Sequence, residues 1–527
     1  MHYSYTYKRI IQKEIKMKNN ITPYTTHLKL YAAVFSVLLL LCVLCSFPMT
    51  VQGKADSAEI TGFTITPNAK SLTDSSDTTS TETNSITIES EKEIKSVYII
   101  FRKKSVSFDI VSGDKIHSVD TDFLHSYTKL PDSFTDCKKI TVNFKEKTAI
   151  SKIAVFSDGT LPEWVQVWEK PYDRADLLLN STHSDDEHLF FAGILPYYAI
   201  EKNYRVQVVY FTNHNNNNPD RNHELLNGLW AVGIDHYPVI GPFPDLYAKT
   251  DNFKDPAQAE AIGKKALKDL LNYGFTEEKI VEYQTELLRR FKPQVVIGHA
   301  FNGDYGHGQH IVNINTLVKA IQSSNDPTFA PESASKYGTW SVPKLYVHNY
   351  EENKIELDWD TPYDSMGGKT PFQISQQGFD QHKSQHWTYF WNWINGTTAK
   401  PFTKAIQAKD ISCYTFGLYH TTVGQDTLKN DFFENLTNYD EQIRLEEERK
   451  KAEEEQARLE AESIARAEEE SKEAARLESE RLAALQSSTD ADDTIEKPND
   501  KKTFLVISLI LVFSALCAVV VITFKRR

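Results

Sequence analysis

Short apolar runs bounded by Gly, Asp and Ser follow one another from residue 56 to about residue 165. Runs of this kind predict β-strands joined by turns. The predicted strands are Ile60–Thr66, Ser96–Phe101, Lys139–Phe144 and Ile150–Phe156. A stretch rich in Ser, Thr and Asp over Ser71–Ser85 predicts a polar loop. The pattern predicts an all-β domain at residues 55–168, expected to be a small β-sandwich that binds carbohydrate or acts as a docking domain or spacer.

From about Ala175 the pattern changes to strand-like apolar runs that alternate with helical stretches. The predicted strands are Asp176–Asn180, Tyr204–Thr212, Gln294–His299 and Lys344–Tyr350. The predicted helices are Glu187–Ala199, Glu224–Val232, Ala257–Leu271 and Glu277–Phe291. This alternation indicates an α/β fold with a Rossmann-like parallel sheet, predicted here for residues 170–437. Ligand sites in such sheets lie at the carboxyl ends of the strands.

Residues 438–486 are mostly Glu, Ala, Arg, Lys, Leu and Gln, without Gly or Pro. Pairs such as Glu446 with Lys450 and Glu454 with Arg458 have the i,i+4 spacing that supports an exposed helix. The heptad pattern is interrupted, so a single charged helix is favoured over a stable coiled coil. At 1.5 Å per residue it would form a stalk of roughly 70 Å.

Two apolar segments are long enough to interact with a bilayer. Tyr31–Phe47 follows a basic region, and residues 1–54 are therefore interpreted as a signal peptide or an N-terminal anchor. After a polar linker at residues 487–502, residues 503–524 predict a transmembrane helix. The basic tail at residues 525–527 is expected to stay in the cytoplasm, which would tether the rest of the chain outside it.

Composition narrows the function classes further. The formal net charge of -13 over 527 residues argues against nucleic acid as a partner. Of the five Cys, Cys137 and Cys413 lie outside the apolar segments and far apart, which favours two free thiols over a disulfide.

Two groups of imidazole and carboxylate side chains follow predicted strands. Ser181–Glu187 comes directly after one strand, and Gly303–His310 comes shortly after another, Gln294–His299. Because both groups fall at carboxyl ends of strands, their side chains are expected to meet at one edge of the sheet. A zinc hydrolase needs three protein ligands and one open position, and these loops can supply them. The sequence therefore predicts a metal-assisted hydrolase.

Individual roles follow from the spacing. The predicted metal ligands are His183, Asp186 and His310. Zinc is the expected ion, and another divalent metal stays open. Asp185 adjoins a ligand and is the predicted general base. His307 and Tyr305, three and five residues before the last ligand, are predicted to donate hydrogen bonds to the developing oxyanion.

These groups resemble the signatures of the PIG-L (LmbE-like) zinc de-N-acetylases. His183-Ser-Asp-Asp-Glu187 resembles the family's His-Pro-Asp-Asp-Glu signature, and Gly306-His-Gly-Gln-His310 resembles its Gly-His-Pro-Asp-His signature. Arg221-Asn-His-Glu224 and His382-Lys-Ser-Gln385 are similar to two further family elements. The resemblance covers about Ala175 to Asn435.

The resemblance implies a hydrolase that removes acetyl from an N-acetylglucosamine-type sugar conjugate, with Arg221 in contact with substrate. Together with the apolar segments, it predicts a membrane-tethered enzyme that acts outside the cytoplasm. Its partner would be an amino-sugar glycan. The sequence departs from the family at Ser184 and Gly308, where the signatures have Pro, and at Gln309, where they have Asp. If that Asp tunes His307, Gln309 cannot do so as an anion.

Two other functions stay open. One is an amidase that cleaves a non-acetyl sugar amide, and the other is a surface glycan-binding protein without catalysis. Trp387 lies in a cluster of aromatic residues, for which core packing is favoured over sugar stacking. Among the remaining histidines, His299 is expected to be buried and hydrogen-bonded, His188 to be structural, and His214 to lie in a polar loop.

Overall fold

The computed structural model describes residues 57–74, 76–247 and 255–489. The chain divides into two compact units, Met1–Leu436 and Thr437–Arg527. The predicted signal or anchor, the transmembrane segment at residues 503–524 and the basic tail lie outside the described residues. Within the described part, no helix has both the length and the apolar character needed to cross a membrane.

Seven strands form the all-β region. They are β1 (Phe63–Thr66), β2 (Thr81–Ser90), β3 (Ser96–Phe101), β4 (Phe108–Ser112), β5 (Lys115–Val119), β6 (His125–Lys129) and β7 (Lys139–Phe156). All are linked by antiparallel pairing into one sheet, in which β7 pairs with β2, β3 and β4. The sequence predicted a break within β7, but Thr148 and Ala149 pair with β2 and carry the strand through the polar stretch. The predicted loop Ser71–Ser85 ends earlier than expected, because β2 begins at Thr81.

The buried side chains of this sheet belong to a hydrophobic core that extends into the α/β region. Phe101 of β3, Phe108 of β4 and Phe144 of β7 lie with ring centroids 6.0 to 6.3 Å apart. Where one face of a strand points to solvent, as in β4, buried residues alternate with more exposed ones. Cys137 is buried beside this core and Cys413 is buried in the α/β region, and both are free, as the sequence predicted.

The α/β region has a second seven-stranded sheet. Its strands are β8 (Leu177–Ser181), β9 (Val206–Asn213), β10 (Val239–Pro244), β11 (Val295–Gly298), β12 (Lys344–His348), β13 (Lys354–Glu356) and β16 (Thr415–Thr421), in the order β10-β9-β8-β11-β12-β16-β13. The first five are parallel, as predicted for β8, β9, β11 and β12, whereas β10 was not among the predicted strands. The prediction of a wholly parallel sheet was wrong, because β16 runs antiparallel to both β12 and β13. A separate two-stranded hairpin joins β14 (Gly396–Thr397) to β15 (Lys400–Pro401).

Seven α-helices accompany this sheet in the described residues up to Leu436. They are α1 (Asp220–Ala231), α2 (Pro256–Leu271), α3 (Glu277–Phe291), α4 (Gly308–Ser323), α5 (Pro331–Tyr337), α6 (Pro371–Phe379) and α7 (Phe390–Asn395). α3 has the bounds that the sequence predicted, whereas α4 was missed. The predicted helix Glu187–Ala199 was wrong: the segment is a series of turns that leads into a π-helix at Pro196–Glu201. Gly193 interrupts it with φ 92°, a conformation that favours glycine.

The charged segment is one helix, α8 (Tyr439–Thr489), as predicted. Lys450 pairs with Glu446 at 3.6 Å. Arg458 pairs with Glu455 at 2.8 Å rather than with Glu454. Exposed pairs of this kind contribute only about 0.3–0.5 kcal/mol each, so their number matters more than any one of them.

Candidate active site

The two polar groups meet because their strands are neighbours. β8 and β11 are parallel and adjacent, with Leu177 opposite Val295. His183 and Asp186 follow the carboxyl end of β8, and His310 lies in the first turn of α4, which follows β11. The structure therefore brings both polar groups to the same edge of the sheet, as predicted.

The three predicted ligands present their donor atoms to one point. Asp186 Oδ2 lies 3.4 Å from His183 Nδ1 and 3.3 Å from His310 Nε2, and the two nitrogens are 3.0 Å apart. A tetrahedral zinc ion bound at about 2.0–2.1 Å holds neighbouring ligand atoms about 3.3 Å apart. All three side chains are buried. The residues present therefore fit a zinc-type ion with one open position.

Neighbouring groups leave the correct nitrogen of each imidazole free. Gln309 Oε1 accepts from His183 Nε2 at 3.2 Å, so Nδ1 of that ring keeps its lone pair. Asp304 Oδ2 accepts from His310 Nδ1 at 2.8 Å, which leaves Nε2 free. Gln309 therefore faces His183. Its amide also accepts from Leu246 N–H and donates to Pro244 O, which fixes its orientation.

Asp304 is a buried carboxylate that sequence reasoning missed. Besides His310 it contacts His299 Nδ1 at 2.6 Å and His348 Nδ1 at 2.5 Å. Burial would raise its pKa, but the neighbouring imidazoles outweigh burial and hold the pKa well below the usual range. The sequence signal was its place inside Gly303–His310, directly after a strand, and the expectation that His299 is buried and hydrogen-bonded was confirmed.

Asp185, the predicted base, lines the same pocket and is ion-paired to Arg221 at 3.0 Å. Burial raises the pKa of Asp185 to about 7, while the charge of Arg221 opposes the rise. The residue has φ 129°, which is rare outside glycine, and Glu187 Oε2 accepts from its N–H at 2.9 Å. Arg221, predicted to touch substrate, thus contacts the predicted base and also donates to Ser184 O at 2.5 Å.

His307 and Tyr305 line the pocket opposite these groups. Burial, together with the nearby His183 and His310, holds the pKa of His307 well below its usual range, so the ring is neutral. Burial and the charge of Asp186 raise the pKa of Tyr305 well above its usual value, which keeps its hydroxyl protonated. Both side chains therefore carry a proton that can be donated in a hydrogen bond.

Asp245 and His214 are two further site residues that the sequence analysis did not select. Asp245 follows β10 and lies 3.5 Å from His183 Nε2 and 3.8 Å from Arg221 Nη1. His214 contacts Asp245 Oδ2 at 3.2 Å and accepts from Ser184 N–H at 3.3 Å. His214 lies in the polar loop between β9 and α1, as predicted, and its side chain is buried there. The sequence contained no signal for Asp245, because β10, the strand that it follows, was not predicted.

The pocket has a volume of about 550 Å³ and an aromatic rim. Trp387 is 83% exposed, Tyr247 77% and Tyr389 45%, and all three line the pocket. The expectation that Trp387 packs in the core was therefore wrong. Exposed rings at the mouth of a polar pocket are a surface on which the apolar face of a sugar can stack.

The two remaining family-like elements meet behind the pocket. Glu224 of α1 accepts from Ser384 N–H at 2.7 Å and from Ser384 Oγ at 2.6 Å. The contact joins Arg221-Asn-His-Glu224 to His382-Lys-Ser-Gln385. It holds the start of α1, and with it Arg221, against the segment that contributes Gln385 and Trp387 to the pocket wall.

Comparison with known proteins agrees with this geometry. Residues 178–321 match the family model described as PIG-L: GlcNAc-PI de-N-acetylase. The matched range contains both polar groups and most of the sheet.

Two curated relatives share part of the chain. A 1D-myo-inositol 2-acetamido-2-deoxy-alpha-D-glucopyranoside deacetylase 2 of Saccharopolyspora erythraea is 29% identical over 172 residues, which are 31% of this chain and 56% of the relative. A protein of the same name, without the number, from Geodermatophilus obscurus is 32% identical over 123 residues, 23% of this chain and 38% of the relative. The matched part of the chain thus spans about half the length of the first of these relatives and less than half of the second.

A solved structure similar to the chain is the N,N'-diacetylchitobiose deacetylase of Pyrococcus horikoshii. The likeness covers 48% of this chain and 89% of that one, at 15% identity and a TM-score of 0.29.

Proposed function

Residues 178–321 form a PIG-L family domain, and from this premise we propose that the protein is a zinc-dependent de-N-acetylase of an N-acetylglucosamine-type sugar conjugate. The observation that carries the proposal is the triangle of His183, Asp186 and His310 donor atoms, 3.0 to 3.4 Å on a side, in a pocket that also holds a buried carboxylate. The names of the curated relatives support an acetamido sugar as the substrate class.

A divalent ion held by these ligands would supply Lewis acidity that acidifies water and polarises the amide carbonyl. Asp185 then accepts the proton of the attacking water and returns it to the leaving amine nitrogen. Arg221, 3.0 Å from Asp185, keeps that carboxylate oriented and favours its charged form. His307 and Tyr305 donate hydrogen bonds to the amide oxygen as negative charge develops there.

The rim supports a sugar rather than a peptide as the group that carries the amide. Trp387 and Tyr389 offer exposed rings, and Asp245, Asn217 and Gln385 offer polar atoms that match hydroxyl groups. We propose that one sugar ring lies between these side chains with its acetamide directed at the three ligands.

The proposal includes a location outside the cytoplasm on a membrane tether. It rests on the apolar segments Tyr31–Phe47 and 503–524, the basic residues after the second, and the charged helix α8 before it. Protease added to intact cells should cleave the protein from the surface. Complete protection until the cells are lysed would contradict this location.

The test of the activity is acetate release by the full-length protein from a panel of N-acetylglucosamine conjugates. The panel should run from inositol-linked forms to chitobiose and cell-wall oligomers, with and without chelator. Release that chelator stops and Zn²⁺ restores is the expected result. Release of a longer acyl group but no acetate would favour the amidase alternative, and no release from any member despite bound zinc would contradict the proposal.

A further inference from the structure

A second group of potential metal ligands lies behind the catalytic turn. Glu187 Oε1 is 3.5 Å from His188 Nε2 and 3.6 Å from His382 Nε2. These three donor atoms lie within 4.8 Å of one another, and all three side chains are completely or almost completely buried. The group shares no residue with the triangle of His183, Asp186 and His310.

Most polar atoms of this group have no partner in the protein. Glu187 Oε1 and both ring nitrogens of His188 and of His382 make no hydrogen bond of acceptable length and angle among the described residues. The one neighbouring hydroxyl that interacts with the Glu187 carboxylate is that of Tyr210, whose pKa burial and the charge of Glu187 raise well above its usual value. Separations of 3.5 and 3.6 Å exceed the usual hydrogen-bond range of about 2.7–3.2 Å. Buried polar groups are nearly always paired, so five such atoms in one place need an explanation. One bound cation would satisfy one donor atom of each of the three residues.

Two glycines let the helix backbone pack directly against these rings. A Cβ on Gly228 of α1 would lie 2.7 Å from His188 Nε2 and 2.8 Å from His382 Nε2. A Cβ on Gly378 of α6 would lie 2.4 Å from His188 Cε1. Neither glycine has positive φ, so the backbone does not require glycine there. Glycine is instead needed because any larger residue at either position would press on the ring atoms of His188 or His382.

We propose that Glu187, His188 and His382 bind a second divalent transition-metal ion of the zinc type, distinct from the ion of the active site. Two imidazoles and one carboxylate are a common zinc donor set, and they suit Ca²⁺ and Mg²⁺ poorly because those ions prefer oxygen ligands. The separations of 3.5 and 3.6 Å approach the roughly 3.3 Å between ligands of a tetrahedral zinc ion.

The position gives this ion a structural role. Glu187 Oε2, the other oxygen of the same carboxylate, accepts the hydrogen bond from Asp185 N–H at 2.9 Å. Asp185 has the strained φ of 129°. An ion on Oε1 would fix this carboxylate against the segment after α6, and would thereby hold the strained turn that carries the predicted base. The second ion is therefore a positioning element, since its ligands do not line the pocket.

Metal content tests the proposal. The full-length protein is stripped with chelator, reloaded with Zn²⁺, freed of excess by gel filtration and assayed by mass spectrometry for zinc per chain. We expect two ions in the wild type, one in His188→Gln, one in His310→Gln and none in the double variant. His117→Gln, a histidine on β5 outside both groups, is the control and should keep two.

The His310→Gln variant isolates the second site if His188→Gln fails to fold. It should bind one zinc ion, and adding Gly228→Ala, which retains all three ligands but covers them, should remove that ion. One ion in the wild type that His310→Gln loses entirely would overturn the proposal. The Glu187 group would then be a protonated carboxyl among neutral imidazoles, or a group hydrated by a buried water.

Discussion

Arg221 Nη2 lies 3.0 Å from Asp185 Oδ1, beside the three predicted metal ligands, and the Asp185 side chain is buried while that of Arg221 is 13% exposed. Burial disfavours the charged form of a carboxylate, and a neighbouring guanidinium favours it. The pair therefore connects α1, which carries the arginine, to the ionisation of the predicted base.

Replacement of Arg221 should shift the pH dependence of catalysis. Asp185 must be deprotonated to accept a proton, so kcat/KM rises with pH through its pKa. Burial raises this pKa to about 7 and Arg221 lowers it, as would a bound dication. Loss of the guanidinium in Arg221→Gln removes one lowering charge, so the acid limb of kcat/KM should move to higher pH. Arg221→Lys keeps the charge and should stay near the wild type; coincident limbs for all three proteins would refute the coupling.

Asp304 should control metal affinity without touching the ion. Its carboxylate fixes the tautomer of His310, and loss of such a group typically weakens metal binding about 10- to 100-fold. Zinc affinity of Asp304→Asn, measured by competition with a chromophoric chelator, should fall by that factor. Asp426→Asn is the matched control, because Asp426 is equally buried but contacts Lys344 away from the site. Equal zinc affinity in Asp304→Asn and the wild type would show that the contact is only structural.

Trp387 should contribute to substrate binding rather than to stability. Its ring is 83% exposed, so Trp387→Ala should leave the thermal midpoint of unfolding unchanged. Loss of one stacked ring should raise KM about 2- to 10-fold, which corresponds to ~0.5–1.5 kcal/mol, with a smaller effect on kcat. Tyr273→Ala, at an aromatic residue that is 61% exposed and not among the residues that line the pocket, serves as the comparison. A KM that stays at the wild-type value in both variants would remove the stacking role.

The β-region should stabilise the helix that carries Arg221. Arg102, in the turn after β3, contacts Asp220 at the start of α1, and His125 of β6 lies 2.9 Å from His223 of the same helix. Arg102→Ala removes a charged hydrogen bond that is largely shielded from solvent, so the free energy of unfolding should fall by about 1–3 kcal/mol.

The control is Lys104→Ala, since Lys104 and Glu146 form an ion pair that is well exposed, and its removal should have no measurable effect. Urea unfolding followed by tryptophan fluorescence measures both. Equal stability of Arg102→Ala and the wild type would mean that the two regions are not energetically joined through this pair.

The sequence predicted the parts of the site that depend on local order. His183, Asp186 and His310 follow two apolar runs, and parallel strands bring such residues to one edge. α3 and the charged helix α8 were also predicted correctly, because the periodicity and composition that indicate a helix lie within the segment itself. Of the seven-stranded α/β sheet, the sequence predicted β8, β9, β11 and β12, and it missed β10, β13 and β16. β16 follows two short helices and a hairpin, so the regular alternation of strands and helices ends before it.

What the sequence could not give depends on tertiary contacts. Three histidines from different segments contact Asp304, and their spacing along the chain does not predict these contacts. Asp245 and His214 reach the site from the ends of β10 and β9, which only the strand order brings beside β8. Trp387 is a large aromatic residue of a type usually found in cores. It is exposed because of the way the segment after α6 folds.

The most direct test of the account compares Asp185→Ala with the wild type in one preparation, by zinc content and by acetate release from the best substrate of the panel. The account predicts the same zinc content in both proteins and acetate release reduced about 10²- to 10⁴-fold in the variant, the usual contribution of a positioned general base. Acetate release at the wild-type rate from a zinc-loaded Asp185→Ala protein would contradict it.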